Sequence, residues 1–220
     1  MEEIALLCRS RSSVESIGIQ NKLTSALVVG ISIFVSACSG PTAKPQTDIS
    51  ADALIVNVDE VSQIAEFQGF TPDQSTRTDD PQPDPRAAQE CKAVYDQKVI
   101  FGDRLKEFQS VAYGGTTGSQ IKGVAEVIQN VGVYSDAESA RSAFERLAPA
   151  LQRCSALHIK NYDFEVTQPN PSTIVLTSNY KVGIAYRLKS SVLTNVVVIG
   201  LPHTDLVTRN VLDAITERVQ

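Results

Sequence analysis

An apolar run that ends at a cysteine decides where the folded part of this chain can begin. The run extends from Leu23 to Val35, directly after Lys22, and contains no charged residue. A helix of this length rises about 20 Å, which is less than the roughly 30 Å of a bilayer's hydrocarbon core. The segment is therefore too short for a stable membrane-spanning helix, and it matches the apolar region of a secretory signal peptide.

Small residues follow the apolar run and lead directly to Cys38. The sequence Val35-Ser36-Ala37-Cys38, followed by polar residues, resembles the bacterial lipobox. In such lipoproteins the signal peptide is cleaved before the cysteine, whose thiol then carries a diacylglycerol. We therefore predict a signal peptide over residues 1–37, lipidation of Cys38, and an anchor of two or more acyl chains at the extracytoplasmic face of the cell membrane. The alternative is an ordinary secreted protein with a cysteine near its cleavage site.

The remaining cysteines predict one disulfide. Cys8 lies in the signal peptide and Cys38 is assigned to the lipid, so only Cys91 and Cys154 remain. In an exported chain we expect these two to form a disulfide, and the alternative is a pair of buried free thiols.

Residues 38–51 are mainly polar. We predict that they form a tether between the lipid on Cys38 and the folded domain.

Length and charge limit what the rest of the chain can be. Residues 52–220 are sufficient for a single domain with its own core. The sequence has 20 Lys and Arg against 25 Asp and Glu, a net charge of −5. Because nucleic-acid binding needs clustered basic residues, we expect no nucleic-acid partner.

Hydrophobic periodicity predicts an α+β domain, with an antiparallel sheet of about five to six strands packed against helices. The predicted strands cover residues 107–114, 121–134, 162–167, 173–178, 181–188 and 192–200. The predicted helices cover residues 58–67, a segment from Arg86, residues 136–157 and the segment after Pro202. Residues 71–85 hold four prolines and no core-forming aliphatic residue, which predicts an exposed loop.

Three local features specify how the later helices begin and bend. The run Ser135-Asp136-Ala137-Glu138 fits a capping box, in which Ser135 would cap the helix. Pro149 lies within the apolar stripe of that helix and predicts a kink. Thr204 or Asp205 is predicted to cap the C-terminal helix.

No motif of a known catalytic, metal or cofactor site is present. The chain lacks a nucleophile elbow, a P-loop, a dinucleotide-binding glycine pattern and a zinc-protease motif. Its glycine-rich residues 114–118 join two predicted strands and fit a hairpin turn. His158 and His203 have no patterned ligand partners, and the acidic group within residues 79–84 fits no EF-hand spacing. We therefore expect no catalysis, no cofactor and no metal.

Four sequence stretches carry a resemblance to a known family. In order they are ALIVNVDEVSQIAEFQG, QECKAVY, VIQNVGVYSDAESARSAFERLAPALQRC and LTNVVVIG. Together they resemble the PknH-like extracellular sensor domain, which occurs in a mycobacterial serine/threonine kinase and in free-standing lipoproteins. The resemblance covers about residues 51–218.

The resemblance implies an antiparallel sheet backed by helices, with a cleft proposed to take an unidentified ligand. Gln129 and Asn195 match polar positions in the family's strand motifs. We expect them to orient a ligand if they face the cleft, and the alternative is that they are amides of the sheet surface. Many members also have a second disulfide around the late strands, whereas this chain has no cysteine after Cys154.

These observations predict a cell-envelope lipoprotein whose domain binds a small molecule or an envelope component without catalysis. The alternative is a protein–protein interaction module that docks an envelope partner through an edge strand or a helix face. A hydrolase of unrecognised type is the third possibility. A concave apolar cavity would favour ligand binding, and a flat exposed apolar patch would favour a partner.

Overall fold

The computed structural model describes residues 49–118, 123–178 and 180–220. The predicted signal peptide, Cys38 and most of the tether lie outside the described residues. The helices are Ala51–Leu54 (α1), Val58–Ile64 (α2), Lys92–Tyr95 (α3), Gln97–Phe101 (α4), Ala137–Glu145 (α5), Leu147–Ser155 (α6) and Thr204–Glu217 (α7), with a 3₁₀ helix at Gln89–Cys91. The strands are Thr71–Thr78 (β1), Leu105–Thr117 (β2), Gly123–Tyr134 (β3), Glu165–Asn170 (β4), Thr173–Thr177 (β5), Val182–Lys189 (β6) and Val192–Ile199 (β7). None of the described helices is long and apolar enough to cross a bilayer.

The described strands form one antiparallel sheet in the order β1-β2-β3-β7-β6-β5-β4. It consists of two meanders, β1-β2-β3 and β4-β5-β6-β7, which meet where β3 pairs with β7. These two central strands are rich in β-branched residues and are buried along most of their length. The α+β class and the antiparallel sheet are thus as predicted, with seven strands in place of five to six.

The seventh strand is β1, and the prediction of a loop over residues 71–85 is wrong for its first half. This strand lies at the edge of the sheet and pairs only with β2, through Thr71–Gly114 and Asp73–Ala112 among others. Most of its described side chains are exposed, so it needs no apolar alternation. An edge strand also tolerates Pro72, because one side of it faces solvent. The sequence pattern that reveals a buried strand is therefore missing here.

Two hydrophobic clusters lie on the two faces of the sheet. Helices α1, α2 and α7 cover one face, here called the α7 face, where Val127 and Val196 belong to the core. Helices α3 to α6 cover the other, here called the α5 face, where Tyr186 and Leu193 belong to the core. Because side chains alternate along each strand, the inner strands β2, β3, β5, β6 and β7 each contribute to both clusters.

The predicted disulfide is present and joins two helical segments on the α5 face. Cys91 ends the 3₁₀ helix, Cys154 lies in α6, and both are fully buried. The bond closes a loop with a sequence separation of 63, which includes β2, β3 and α5. On the chain-entropy estimate such a loop stabilises the fold by about 4 kcal/mol.

The helix after β3 is interrupted, in agreement with the kink predicted from Pro149. It ends at Glu145 and resumes at Leu147, so Pro149 lies in the first turn of α6. A proline ring clashes with the carbonyl four residues before it, here that of Glu145, and this explains the position of the break. Leu157, the last residue of the predicted helix, lies beyond α6 and is exposed.

The N-caps also differ from the predicted ones. Asp136, not Ser135, caps α5, and its carboxylate accepts a hydrogen bond from the Ser139 amide at 2.7 Å. This bond lowers the pKa of Asp136. His203 occupies the N-cap position of α7 with a left-handed backbone and no side-chain cap, so the assignment to Thr204 or Asp205 is wrong.

Candidate functional site: an apolar pocket at the open end of the sheet

A row of buried polar side chains crosses the middle of the α5 face. Ser110, Asn130 and Asn195 lie side by side on β2, β3 and β7. The Ser110 hydroxyl donates to Asn130 Oδ1 at 2.7 Å, and Asn130 Nδ2 donates to Asn195 Oδ1 at 2.8 Å. From α4, Gln97 Nε2 donates to Asn130 Oδ1 at 2.9 Å and to the Ser110 hydroxyl at 3.2 Å. We call these three strand residues the amide row, and Gln97 docks the start of α4 onto it.

A tyrosine continues the amide row and docks the neighbouring helix. Tyr186 pairs with Asn195 across β6 and β7. Its hydroxyl donates to the carbonyls of Ala93 and Val94, each at 3.1 Å, and burial raises the pKa of Tyr186 well above its ordinary value. The phenol therefore remains a hydrogen-bond donor, and α3 is held above the middle of the sheet.

Beyond α3 the sheet is less covered, and a cavity of about 170 Å³ lies between α3, the loop before β4 and the strands β5 and β6. Its wall and floor are mainly apolar, and none of the described residues that line it is charged. We call it the apolar pocket, lined by Tyr95, Asn161, Phe164, Leu176, Ser178, Tyr180, Val182 and Ile184. Its floor is formed by the residues of β5 and β6 that share the α5 face with Tyr186.

Polar groups are confined to the rim of the apolar pocket. Tyr95, at the end of α3, packs against Tyr162 with 5.9 Å between the ring centroids. Burial, and secondarily the neighbouring Tyr162, raises the pKa of Tyr95, so its hydroxyl stays protonated. Tyr180 is 60% exposed on the opposite rim. Asn161 has a left-handed backbone, which asparagine tolerates better than most residues.

The pocket floor continues across the sheet to an acidic residue that the sequence reasoning missed. Val182 pairs with Ile199, and Ile199 pairs with Glu126, so these three side chains form a row on the α5 face. All three are half-buried. Burial raises the pKa of Glu126, and the nearby Asp73 carboxylate adds to the effect. Next to Glu126, a Cβ added to Gly114 would meet no atom of the described residues within 4 Å, so they leave this end of the face open.

Comparison with known proteins assigns the domain to a family. The PknH-like extracellular domain model matches residues 47–218. The chain belongs to the PknH-like extracellular domain family. The crystal structure of the extracellular domain of PknH from Mycobacterium tuberculosis is similar to this PknH-like domain, with 14% sequence identity and a TM-score of 0.57. That similarity covers 76% of this chain and 95% of the other, and at this identity it shows the fold alone. No curated protein matches the chain.

Gln129 and Asn195, the two predicted ligand-binding residues, are not brought together in this PknH-like domain. Gln129 lies on the α7 face, fully buried, and its amide exchanges two hydrogen bonds of 2.9 Å with the backbone of Val56. Asn195 lies on the α5 face in the amide row, where its Nδ2 donates to the Ala185 carbonyl at 3.2 Å. Neither residue lines the apolar pocket, so they cannot contact one ligand there.

Two larger grooves of the PknH-like domain are polar. One, of about 350 Å³, lies between residues 79–81 and 102–108, with lysines and acidic residues in its walls. The other, of about 450 Å³, lies between Arg104 and Arg146 and includes hydroxyls of α5. Ligand sites are typically enclosed by apolar walls with a few placed polar groups. The smaller apolar pocket fits that description better than either groove.

A serine, a histidine and an aspartate of the PknH-like domain lie close in sequence but do not form a catalytic triad. His158 Nδ1 lies 3.3 Å from Asp163 Oδ1, and both side chains are largely exposed. The Ser155 hydroxyl donates to the Phe164 carbonyl and not to His158. A nucleophile needs a hydrogen-bonded base, so this group lacks the required alignment. Within the described ranges, no cluster of His, Cys, Asp and Glu has the arrangement of a metal site.

Proposed function

We propose that this domain is a non-catalytic extracytoplasmic binding domain, and that its ligand inserts an uncharged apolar group into the apolar pocket. The observation that carries the proposal is the described lining of that pocket, which has apolar walls, uncharged polar groups at the rim and no ionised side chain. An uncharged lining excludes a buried charged group, because a charge without a partner is costly in an apolar site.

The volume of the pocket limits the inserted group. A cavity of about 150 Å³ lined by aliphatic and aromatic residues accepts one benzene-sized molecule. The pocket, at about 170 Å³, therefore matches one ring or one end of an alkyl chain. The hydroxyl of Tyr95 and the amide of Asn161 are available at the rim for a polar part of the ligand.

The proposal includes the predicted attachment to the membrane. Lipidation of Cys38 would hold the domain at the extracytoplasmic face of the cell membrane, with residues 38–51 as tether. Membership in a family of extracellular domains supports the extracytoplasmic side. An anchored domain of this kind meets ligands of the cell envelope at high local concentration.

Docking of a partner protein through a sheet edge is the second candidate, and the described edges disfavour it. The pairing of β1 shifts register between Asp73 and Thr78, and that of β4 shifts between Thr167 and Asn170. Pro169 also lies within β4. Irregular edges with proline are the usual protection against added strands. These edges therefore favour binding of a small molecule in the apolar pocket over docking of a partner protein at a sheet edge.

A fluorescence titration tests the pocket directly. The chain has no tryptophan, so Tyr180→Trp would place a single fluorophore on the pocket rim. Residues 46–220 form one compact unit that carries the sheet, both clusters and the disulfide, and this fragment is suited to the titration. We expect octanol, a neutral apolar probe, to shift the emission to shorter wavelength in a saturable way.

Two matched variants make the titration specific to the pocket. Ser178→Phe, in the reporter background, puts a ring into the pocket and should abolish the shift. Thr177→Phe adds the same ring one residue earlier, where the side chain is exposed on the opposite face, and should leave the shift intact. No saturable shift, or equal effects of the two variants, would contradict binding in the pocket.

A further inference from the structure

Glu126 is a half-buried carboxylate without a partner on the open end of the α5 face. In the part of the chain that the structure describes, it makes neither a hydrogen bond nor a salt bridge. Its cross-strand neighbours on this face are Ile199 on β7 and Gly114 on β2, which offer no donor side chain. A carboxylate that is partly removed from water without compensation costs stability. The fold gives no structural reason for an acid at this position.

The position of Glu126 relative to the apolar pocket suggests what the carboxylate contacts. Val182 belongs to the pocket lining and lies two strands away, with Ile199 between them. Adjacent strands are about 4.8 Å apart, so the backbone of β6 at Val182 lies about 10 Å from that of β3 at Glu126. The surface between them is a half-buried apolar side chain, over which an alkyl chain can lie.

The local charge selects the kind of head group. Asp73 lies on the same face, on β1, and its charge acts on Glu126. The carboxylate of Glu126 repels an anionic group and attracts a cation. A protonated amine donates hydrogen bonds to a carboxylate, and such charge-assisted bonds are stronger than those of a neutral hydroxyl.

We infer that Glu126 binds the protonated amine of an amphiphilic ligand whose apolar end occupies the apolar pocket. This inference rests on the proposed function, since it needs the pocket to be occupied. It adds a residue that determines specificity, because Glu126 selects ligands with a cationic head group. The distance between that head group and the apolar end is about 10 Å, which corresponds to two strand spacings.

Three probes of equal chain length test this inference in the Tyr180→Trp reporter of residues 46–220. They are octylamine, octanol and octanoate. We expect octylamine to bind about tenfold more tightly than octanol, the effect of one added hydrogen bond to a charged group, and octanoate to bind most weakly. Glu126→Gln should bring octylamine to the affinity of octanol while leaving octanol unchanged.

A matched charge control separates contact from general attraction. Glu145→Gln removes the same charge from the exposed surface of α5, which covers the other end of the sheet, and should leave the octylamine preference intact. Equal affinities of octylamine and octanol for the wild-type reporter would overturn the role of Glu126 while leaving the proposed function standing. An equal loss of octylamine affinity in Glu126→Gln and Glu145→Gln would likewise overturn the role of Glu126. If none of the three probes binds, the pocket proposal fails together with this inference.

Discussion

Gln129 and Asn195 lie on neighbouring central strands but on opposite faces of the sheet. Gln129 is paired with Val196, whereas Asn195 is paired with Asn130. Side chains alternate between faces, so the offset of one residue between the two pairs places the two amides in different cores. Gln129 holds the segment between α1 and α2 against the sheet through Val56. Asn195 belongs to the amide row under α4.

Replacing Gln129 by Ala should destabilise the fold without affecting the pocket. The Val56 amide would lose its acceptor in a buried position, and we expect the free energy of unfolding to fall by about 2–3 kcal/mol. Denaturant-induced unfolding measures this change. Tyr113→Phe is the matched control, because it removes one of the two hydrogen bonds to the Val56 carbonyl and leaves the other, so its effect should be smaller. An equal loss in both variants would argue against the assigned role of Gln129.

The disulfide should contribute strongly to stability and be inaccessible in the native protein. Replacing Cys91 and Cys154 together by Ser should lower the free energy of unfolding by about 4 kcal/mol. The two cysteines should also resist alkylation until the protein is unfolded and reduced, which mass spectrometry can follow. Ready labelling of the native, unreduced protein would show that the bond does not form.

The lipid anchor makes a prediction about cell fractionation. Cys38→Ser should move the protein out of the membrane fraction, because it removes the residue that we propose carries the diacylglycerol. Quantitative immunoblotting of membrane and soluble fractions measures the change, with Cys8→Ser as a control that should remain with the membrane. Continued membrane association of the Cys38 variant would count against the anchor.

The raised pKa of Glu126 predicts a pH-dependent stability difference. The folded state binds this proton more tightly than the unfolded state, so the carboxylate destabilises the fold as pH rises through the interval between the two pKa values. Glu126→Gln should therefore raise the melting temperature near neutral pH. Below about pH 3, where the acid is protonated in both states, the variant and the wild type should melt alike. A difference in melting temperature that stays constant across this pH range would contradict a raised pKa of Glu126.

The buried half of the fold could be predicted because burial leaves a pattern in the sequence. Strands β3 and β7 are apolar on both faces. A central strand has this pattern because helices cover both of its faces. The disulfide followed from the number of cysteines in an exported chain. Asn57 precedes the apolar periodicity of α2 and caps that helix by accepting a hydrogen bond from the Glu60 amide at 3.0 Å.

The edge strand and the candidate site could not be predicted in the same way. Strand β1 pairs with a neighbouring strand on one side only and has no core-forming aliphatic residue, so its sequence resembles that of a loop. The residues that line the pocket are as far apart in sequence as Tyr95 and Ile184. They become neighbours only through the order of the strands in the sheet, which the sequence pattern does not specify. Glu126 did have a local signal, as a lone acid within an apolar strand. Its meaning depended on Ile199 and Val182, which are distant in sequence.

Native mass spectrometry of residues 46–220, exported and purified from the native host, tests the central claim most directly. The account predicts a non-covalent adduct that disappears on denaturation and whose mass identifies the ligand. The adduct should be absent from Ser178→Phe and present in Thr177→Phe, since only the first variant fills the apolar pocket. A bare mass for the wild type, or an adduct that survives Ser178→Phe, would contradict ligand binding in this pocket.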